Sequence, residues 1–122
     1  MKETAELKVI KAADLLTETE KLKYDGYRFL VIVCTRVLEG FELTYSFDKE
    51  YHVVHLRFTV GLNSKVSSIT SLYLPAFVSE NEIHDLFGLE ITHIAKGVDF
   101  HGTFFRLAKK APWSELPVKG GK

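Results

Sequence analysis

Regular patterning begins at Ala12, where Ala12, Leu15, Leu16, Thr19 and Leu22 recur at helical spacing and Asp14, Glu18, Glu20, Lys21 and Lys23 take the other side. Asp25-Gly26 supplies a stop, so the first expected element is a helix over residues 11–24. The period then changes. Tyr27 to Val37 is β-branched and aromatic, Leu38-Glu39-Gly40 turns the chain, and Phe41, Leu43, Tyr45 and Phe47 alternate with Glu42, Thr44 and Ser46. Asp48-Lys49-Glu50 makes a second turn, after which Val54, Leu56, Phe58 and Val60 alternate with His55, Arg57 and Thr59 as a third strand. A polar loop from Gly61 to Val66 leads to a short fourth strand, Ser67 to Leu74, ended by Pro75. Hairpin-linked strands with one apolar face need cover, and the first helix is placed to supply it. The pattern predicts an α+β domain over residues 1–106: a small antiparallel meander of three or four strands covered by the N-terminal helix, then a short second helix. Residues 107–122 lack periodicity and are expected to form an extended C-terminal arm, with Trp113 between Pro112 and Pro117, laid on a neighbouring molecule.

The second helix lies in AFVSENEIHDLFGLEI, residues 76–91, where Glu80, Glu82, Asp85 and Glu90 stand with His84 and no basic residue among them. Ser79-x-x-Glu82 reads as a capping box, flanked by Val78 and Ile83 as a hydrophobic staple, which starts the helix at Glu80. Gly88 falls where a left-handed C-terminal residue is wanted. Ile83, Leu86 and Phe87 make one apolar stripe for burial against the sheet. Asn81, His84 and Asp85 share a second, polar side.

Composition narrows what that polar side can be. Lys and Arg (16) balance Asp and Glu (16), so there is no global electrostatic footprint for nucleic acid or anionic lipid. The charge is nevertheless arranged, since Arg106, Lys109, Lys110, Lys119 and Lys122 follow residue 102 against Glu115 alone. The longest apolar run, Phe29 to Cys34, is too short to cross a bilayer, and no charged-then-apolar leader opens the chain, so membrane contact is expected only through a partner. Cys34 is alone, which excludes an intrachain disulfide and reads as a small buried hydrophobe. His52 and His55 point to opposite faces of a strand, and Glu80 with His84 offers two ligands where a metal site needs three or four. No phosphate-binding glycine loop and no Ser-His-Asp set can be assembled. Catalytic residues, metal ligands and cofactor-binding residues are therefore all expected to be absent. A single-stranded RNA reader is the binding-module rival, because such folds stack bases on sheet aromatics. The enzyme rival is a carboxylate hydrolase around Glu80 and Asp85.

Ser68-Ile-Thr-Ser-Leu-Tyr, then Ala76, then Glu80-Asn81-Glu82-Ile83-His84-Asp85-Leu86-Phe87-Gly88-Leu89, resembles the signature of the 30 kDa subunit family of respiratory complex I. The likeness extends to Gly26-Tyr27-Arg28 and the Phe41-to-Asp48 strand and covers roughly residues 20–91. Asn81 stands where the respiratory enzymes carry Arg, and their Arg-rich run after the Phe-Gly is replaced by Ile91-Thr-His-Ile. Both departures are more similar to the short relatives in membrane-bound, energy-converting nickel–iron hydrogenases. The resemblance implies a cofactor-free accessory subunit, peripheral on the cytoplasmic side of the cell membrane. It would pack beside a hydrogenase or complex I-like large subunit and an iron–sulfur small subunit. A place in a respiratory NADH:quinone oxidoreductase is the alternative within the same family. Glu80, Asn81, His84, Asp85, Phe87 and Gly88 would then be interface or interface-shaping residues, with Ser79 and Glu82 capping the helix.

Overall fold

The computed structural model describes residues 3–105 and 110–116. Its largest unit is a four-stranded sheet in the order β1-β4-β3-β2. The hairpins form as their alternation predicts: β2 (Arg28–Val37), β3 (Gly40–Lys49) and β4 (His52–Gly61) are consecutive antiparallel neighbours. Glu50 and Tyr51, both at positive φ (49° and 69°), make the two-residue turn between β3 and β4, the backbone twist that joins adjacent antiparallel strands most closely.

Phe41, Leu43, Tyr45 and Phe47 of β3 and Val54, Leu56, Phe58 and Val60 of β4 are all buried on one face of the sheet and form its core. Tyr45 stacks on Phe58 with ring centroids 5.7 Å apart, and Phe47 packs on Tyr73 at 5.5 Å. With its aromatics committed to the core, this sheet offers no stacking platform for bases, and the RNA-reader expectation fails on that point.

The first element is a strand, not a helix. β1 (Thr4–Val9) pairs parallel with β4, which makes the sheet mixed rather than purely antiparallel. The predicted helix follows as a 3-10 turn, Ala12–Asp14, running into α1 (Leu15–Tyr24). α1 buries Leu15 and Thr19, but the helix that lies against a strand of the sheet is α2 (Phe77–Phe87), packed on β2, so the N-terminal helix is not the cover that the pattern predicts. Ser67 to Leu74 is not a fourth strand of this sheet. Only β5 (Lys65–Ser67) is extended, and it pairs parallel with β6 (Glu90–Thr92) in a separate two-stranded ribbon. Ser68 to Tyr73 instead wraps around α2, because its polar groups are drawn to a carboxylate described below.

Among the described residues no further strand pairs with the outer edges of β1 and β2, and the two edges are built differently. β1 alternates Glu6 and Lys8 with Leu7 and Val9, and charged residues discourage pairing with a foreign strand. β2 carries no charge from Phe29 to Thr35, and Leu30, Val31 and Val33 are exposed there. Cys34 is half-buried on the same strand, and burial pushes its thiol up to about 12, consistent with an inert small hydrophobe.

Gly40 and Gly61 stand opposite each other in the β3–β4 register, yet only one of them is sterically required. A Cβ on Gly40 would land inside the Val60 carbonyl, whereas one on Gly61 would meet only Ser64 Oγ at 3.6 Å. Gly40→Ala is expected to destabilise the fold by roughly 3 kcal/mol or more, through overpacking against backbone that cannot yield. Gly61→Ala should cost less than about 1 kcal/mol, and urea midpoints of the two variants measure the contrast.

Candidate functional site

α2 begins earlier than a capping box would place it. Leu74-Pro75-Ala76 forms a 3-10 turn with Pro at its start, where a fixed φ and a missing N–H cost nothing, and the chain continues directly into Phe77. Ala76 is the residue at the cap, without a side-chain hydrogen bond, so Ser79 and Glu82 lie inside the helix and the Ser79–Glu82 capping box does not form. The other end follows expectation. Gly88 is left-handed (φ 77°), and its N–H donates to the His84 carbonyl.

With the helix so placed, Glu80, Asn81 and Asp85 turn inward, at 0%, 1% and 5% exposure. Each polar side chain holds a different piece of chain. The Ser68 hydroxyl donates to Glu80 Oε1 at 2.6 Å, and the Ile69 amide donates to Oε2 at 2.8 Å. Ser68 Oγ also lies 2.7 Å from Thr70 Oγ1, and that hydroxyl accepts from the Ala95 amide at 2.9 Å, so the Glu80 cluster reaches across to the segment after β6. Burial pushes the Glu80 carboxyl up to about 7; the bonds from Ser68 and Ile69 oppose the rise, and the charge of Asp99 adds to it.

Asn81 uses both ends of its amide. Nδ2 donates to the Phe77 and Val98 carbonyls, each at 2.8 Å, and Oδ1 accepts from the Phe100 amide at 3.0 Å. Asp85 Oδ2 accepts from the Phe105 amide at 2.6 Å. Its other oxygen, Oδ1, is buried without a hydrogen-bond partner among the described residues. His84 Nδ1 lies 3.6 Å from it, beyond hydrogen-bond range. An unsatisfied buried acceptor of this kind costs about 1–3 kcal/mol.

Phe87 is half-buried between two rings, edge-on to Phe41 at 6.0 Å and to Trp113 at 5.5 Å. The Trp113 amide donates to the Leu86 carbonyl at 2.6 Å, and Arg36 Nε donates to the Ser114 carbonyl at 2.6 Å. Residues 110–116 thus lie on the end of α2 and on β2 of their own chain rather than reaching away. The basic residues Arg106, Lys109, Lys119 and Lys122 lie outside the described residues. Of the sequence-predicted set, His84, Phe87 and Gly88 keep accessible surface, while Glu80, Asn81 and Asp85 are enclosed. The residues that reasoning from sequence missed are the ones that meet these side chains: Ser68, Thr70, Val98, Phe100 and Phe105.

This is no hydrolase geometry. Glu80 and Asp85 each hold backbone and neither faces a shared reacting position. Among the described residues, no three His, Cys, Asp or Glu side chains are grouped to hold a metal, and no helix is long and apolar enough to cross a membrane.

Residues 4–96, which contain β1 through β6 and all of α2, match the family model described as respiratory-chain NADH dehydrogenase, 30 Kd subunit. The chain belongs to that family. The matched span of this 30 Kd-family chain includes Glu80, Asn81 and Asp85 of α2 and ends before Val98, Phe100 and Phe105, which the last two of them hold. No curated protein matches the sequence. Among solved structures, a chain of the membrane-bound sulfane sulfur reductase, an archaeal respiratory membrane complex, superposes with a TM-score of 0.71 at 16% identity. The match covers 78% of this chain and 61% of that one, so this 30 Kd-family chain spans under two thirds of its structural neighbour, and the likeness is one of fold.

Two measurements test the tethers. Because Glu80 is raised from its ordinary 4.5 to about 7, its contribution to stability is fully present below pH 4.5 and is lost as pH rises through 7. That loss is on the order of 3 kcal/mol, and Glu80→Gln should flatten the slope of melting temperature between these limits. Asn81→Ala leaves the Phe100 amide and Val98 carbonyl without partners, for an expected loss of about 2–3 kcal/mol. The selective sign is faster hydrogen exchange at Phe100 than at the strand amides of β3.

Proposed function

We propose that this chain is a cofactor-free accessory subunit of a membrane-bound, complex I-related oxidoreductase, of the energy-converting nickel–iron hydrogenase type. In this reading it sits peripherally on the cytoplasmic side of the membrane, against the large subunit and the iron–sulfur small subunit. The observation that carries the reading is the use made of the signature side chains. Glu80, Asn81 and Asp85 are spent on holding three segments of their own chain, so what they produce is a shaped surface rather than a reactive centre.

That surface is centred on the end of α2, where His84, Gly88 and Lys110 line one cleft and a 55% exposed Trp113 is seated on Phe87. A large aromatic side chain seated on a second ring is the kind of residue that anchors protein interfaces. Buried interface area and a few charge-assisted hydrogen bonds would hold the redox subunits in electron-transfer geometry. The family description itself supports the second reading, a place in a respiratory NADH:quinone oxidoreductase, and the large subunit that accompanies the chain would tell the two apart.

Affinity purification from native membranes in mild detergent, with the tag on either terminus and mass spectrometry of what co-elutes, tests this. The expected result is co-elution of a nickel–iron large subunit and an iron–sulfur small subunit. A large subunit without nickel–iron ligands would move the chain to the respiratory enzyme, and recovery of the chain alone with both tags would refute assembly.

A further inference from the structure

We propose that the sheet face turned away from the core takes a second copy of this chain, with β1 of each copy lying on β2 of the other. This goes beyond the assembly reading and does not depend on it. The register fixes which side chains share the face. One row across β1, β4, β3 and β2 reads Val9, Arg57, Thr44, Val33. The next reads Leu7, His55, Ser46, Val31. Ile32, Leu43, Tyr45, Leu56 and Phe58, which alternate with them along the inner strands and β2, point the other way into the core that Leu15 of α1 and Ile83 of α2 join. Both rows end in aliphatic side chains left in solvent, Val9 at 74% and Leu7 at 51% exposure on one flank, Val33 at 52% and Val31 at 43% on the other. The open face of a sheet is ordinarily polar, so two aliphatic flanks on one face call for cover.

The middle of the face asks for no charge from outside. Arg57 Nε donates to Thr44 Oγ1 at 3.0 Å and lies 3.8 Å from a Glu42 carboxylate oxygen, and Ser46 Oγ lies 2.7 Å from His55 Nδ1. A fitting partner therefore brings two aliphatic strips, about 14 Å apart at ordinary strand spacing, with small or internally paired polar groups between them. This chain is such a partner for itself.

Both rows run in the same order, aliphatic, basic, hydroxyl, aliphatic. A two-fold axis parallel to the strands, midway between β3 and β4, stacks β1 on β2 and β4 on β3 of the other copy, in the aligned packing that sheets adopt face to face. Val9 then meets Val33, Leu7 meets Val31, and each basic side chain meets a hydroxyl. A two-fold axis across the strands would instead set β4 on β4 and bring basic side chains together, so the order of charges selects the first axis. Three ten-residue strands and one of six give a footprint of roughly 550 Å² on each copy, at the low end of specific interfaces, so an exchanging dimer in the micromolar range is expected. α2 lies on the opposite side of the sheet, which leaves its end open to other partners.

Sedimentation equilibrium of the full-length chain tests this, and a micromolar monomer–dimer equilibrium is the expected result. Val9→Lys and Val33→Glu, both at exposed positions, should each weaken the dimer at least tenfold while the melting temperature stays near wild type. Mixed in equal amounts, the two variants should associate at least as tightly as wild type, because position 9 of one copy then meets position 33 of the other with opposite charge. Should either variant fail to fold, Leu7→Lys with Val31→Glu makes the same test in the neighbouring row. A wild-type chain that stays monomeric well above micromolar concentration overturns the proposal. If the same variants then lower recovery of a large subunit from native membranes, the face belongs to that partner instead. A dimer indifferent to the variants uses another surface, such as the β2 edge, and one weakened but not restored by mixing uses another axis; either result overturns the proposal as well.

Discussion

A carboxylate at 0% exposure must be neutralised or met by donors, and Glu80 is met by the Ser68 hydroxyl and the Ile69 amide. Because those donors belong to the turn after β5, the contact fixes where the chain goes once it leaves the sheet. It brings Thr70 to the Ala95 amide, and so sets the path of the segment after β6 as well. Asn81 and Asp85, one and five residues further along the same helix, take hold of the chain again at Val98, Phe100 and Phe105. α2 is in effect a spool. Its apolar stripe supplies the driving force for docking, and its polar residues decide which loops lie over it.

Most of the sheet is legible in the sequence because local chemistry and tertiary demand agree there. In β3 and β4 every inward position is apolar, which is enough to form the hairpin although its tight turn sets Glu50 and Tyr51 at a positive φ that neither residue type favours. β1 alternates as cleanly, with Ala5, Leu7 and Val9 against Thr4, Glu6 and Lys8. It escapes a reading by pattern because its partner, β4, lies more than forty residues away and its apolar side chains Leu7 and Val9 stay exposed, so neither a turn nor a core position announces it. Ser68 to Tyr73 has strand-like composition, but its donors are claimed by Glu80, a preference no window around those residues contains. The start of α2 departs from expectation for a local reason: Pro75 initiates a turn that the helix continues, and that outweighs the capping signal at Ser79.

The candidate site is legible in identity but not in orientation. Spacing puts Asn81, His84 and Asp85 on one side of a helix, which is where they are, but a polar side is ordinarily expected to face outward. Asn81 illustrates why it does not. It must donate to Val98 and accept from Phe100 at once, which a carboxamide can do and a guanidinium, having no acceptor, cannot. A carboxamide at this position thus meets both demands of the loop that closes over it.

The contrast between the two sheet edges bears on the life of the chain before it has partners. Strand β2 presents an uncharged run with Leu30, Val31 and Val33 exposed along an edge that no other described strand pairs, while β1 breaks its own apolar side with alternating charge. Surplus copies made without their complex would therefore be exposed to self-association along β2 specifically. Balanced synthesis with whatever covers that edge becomes a condition of keeping the chain in solution.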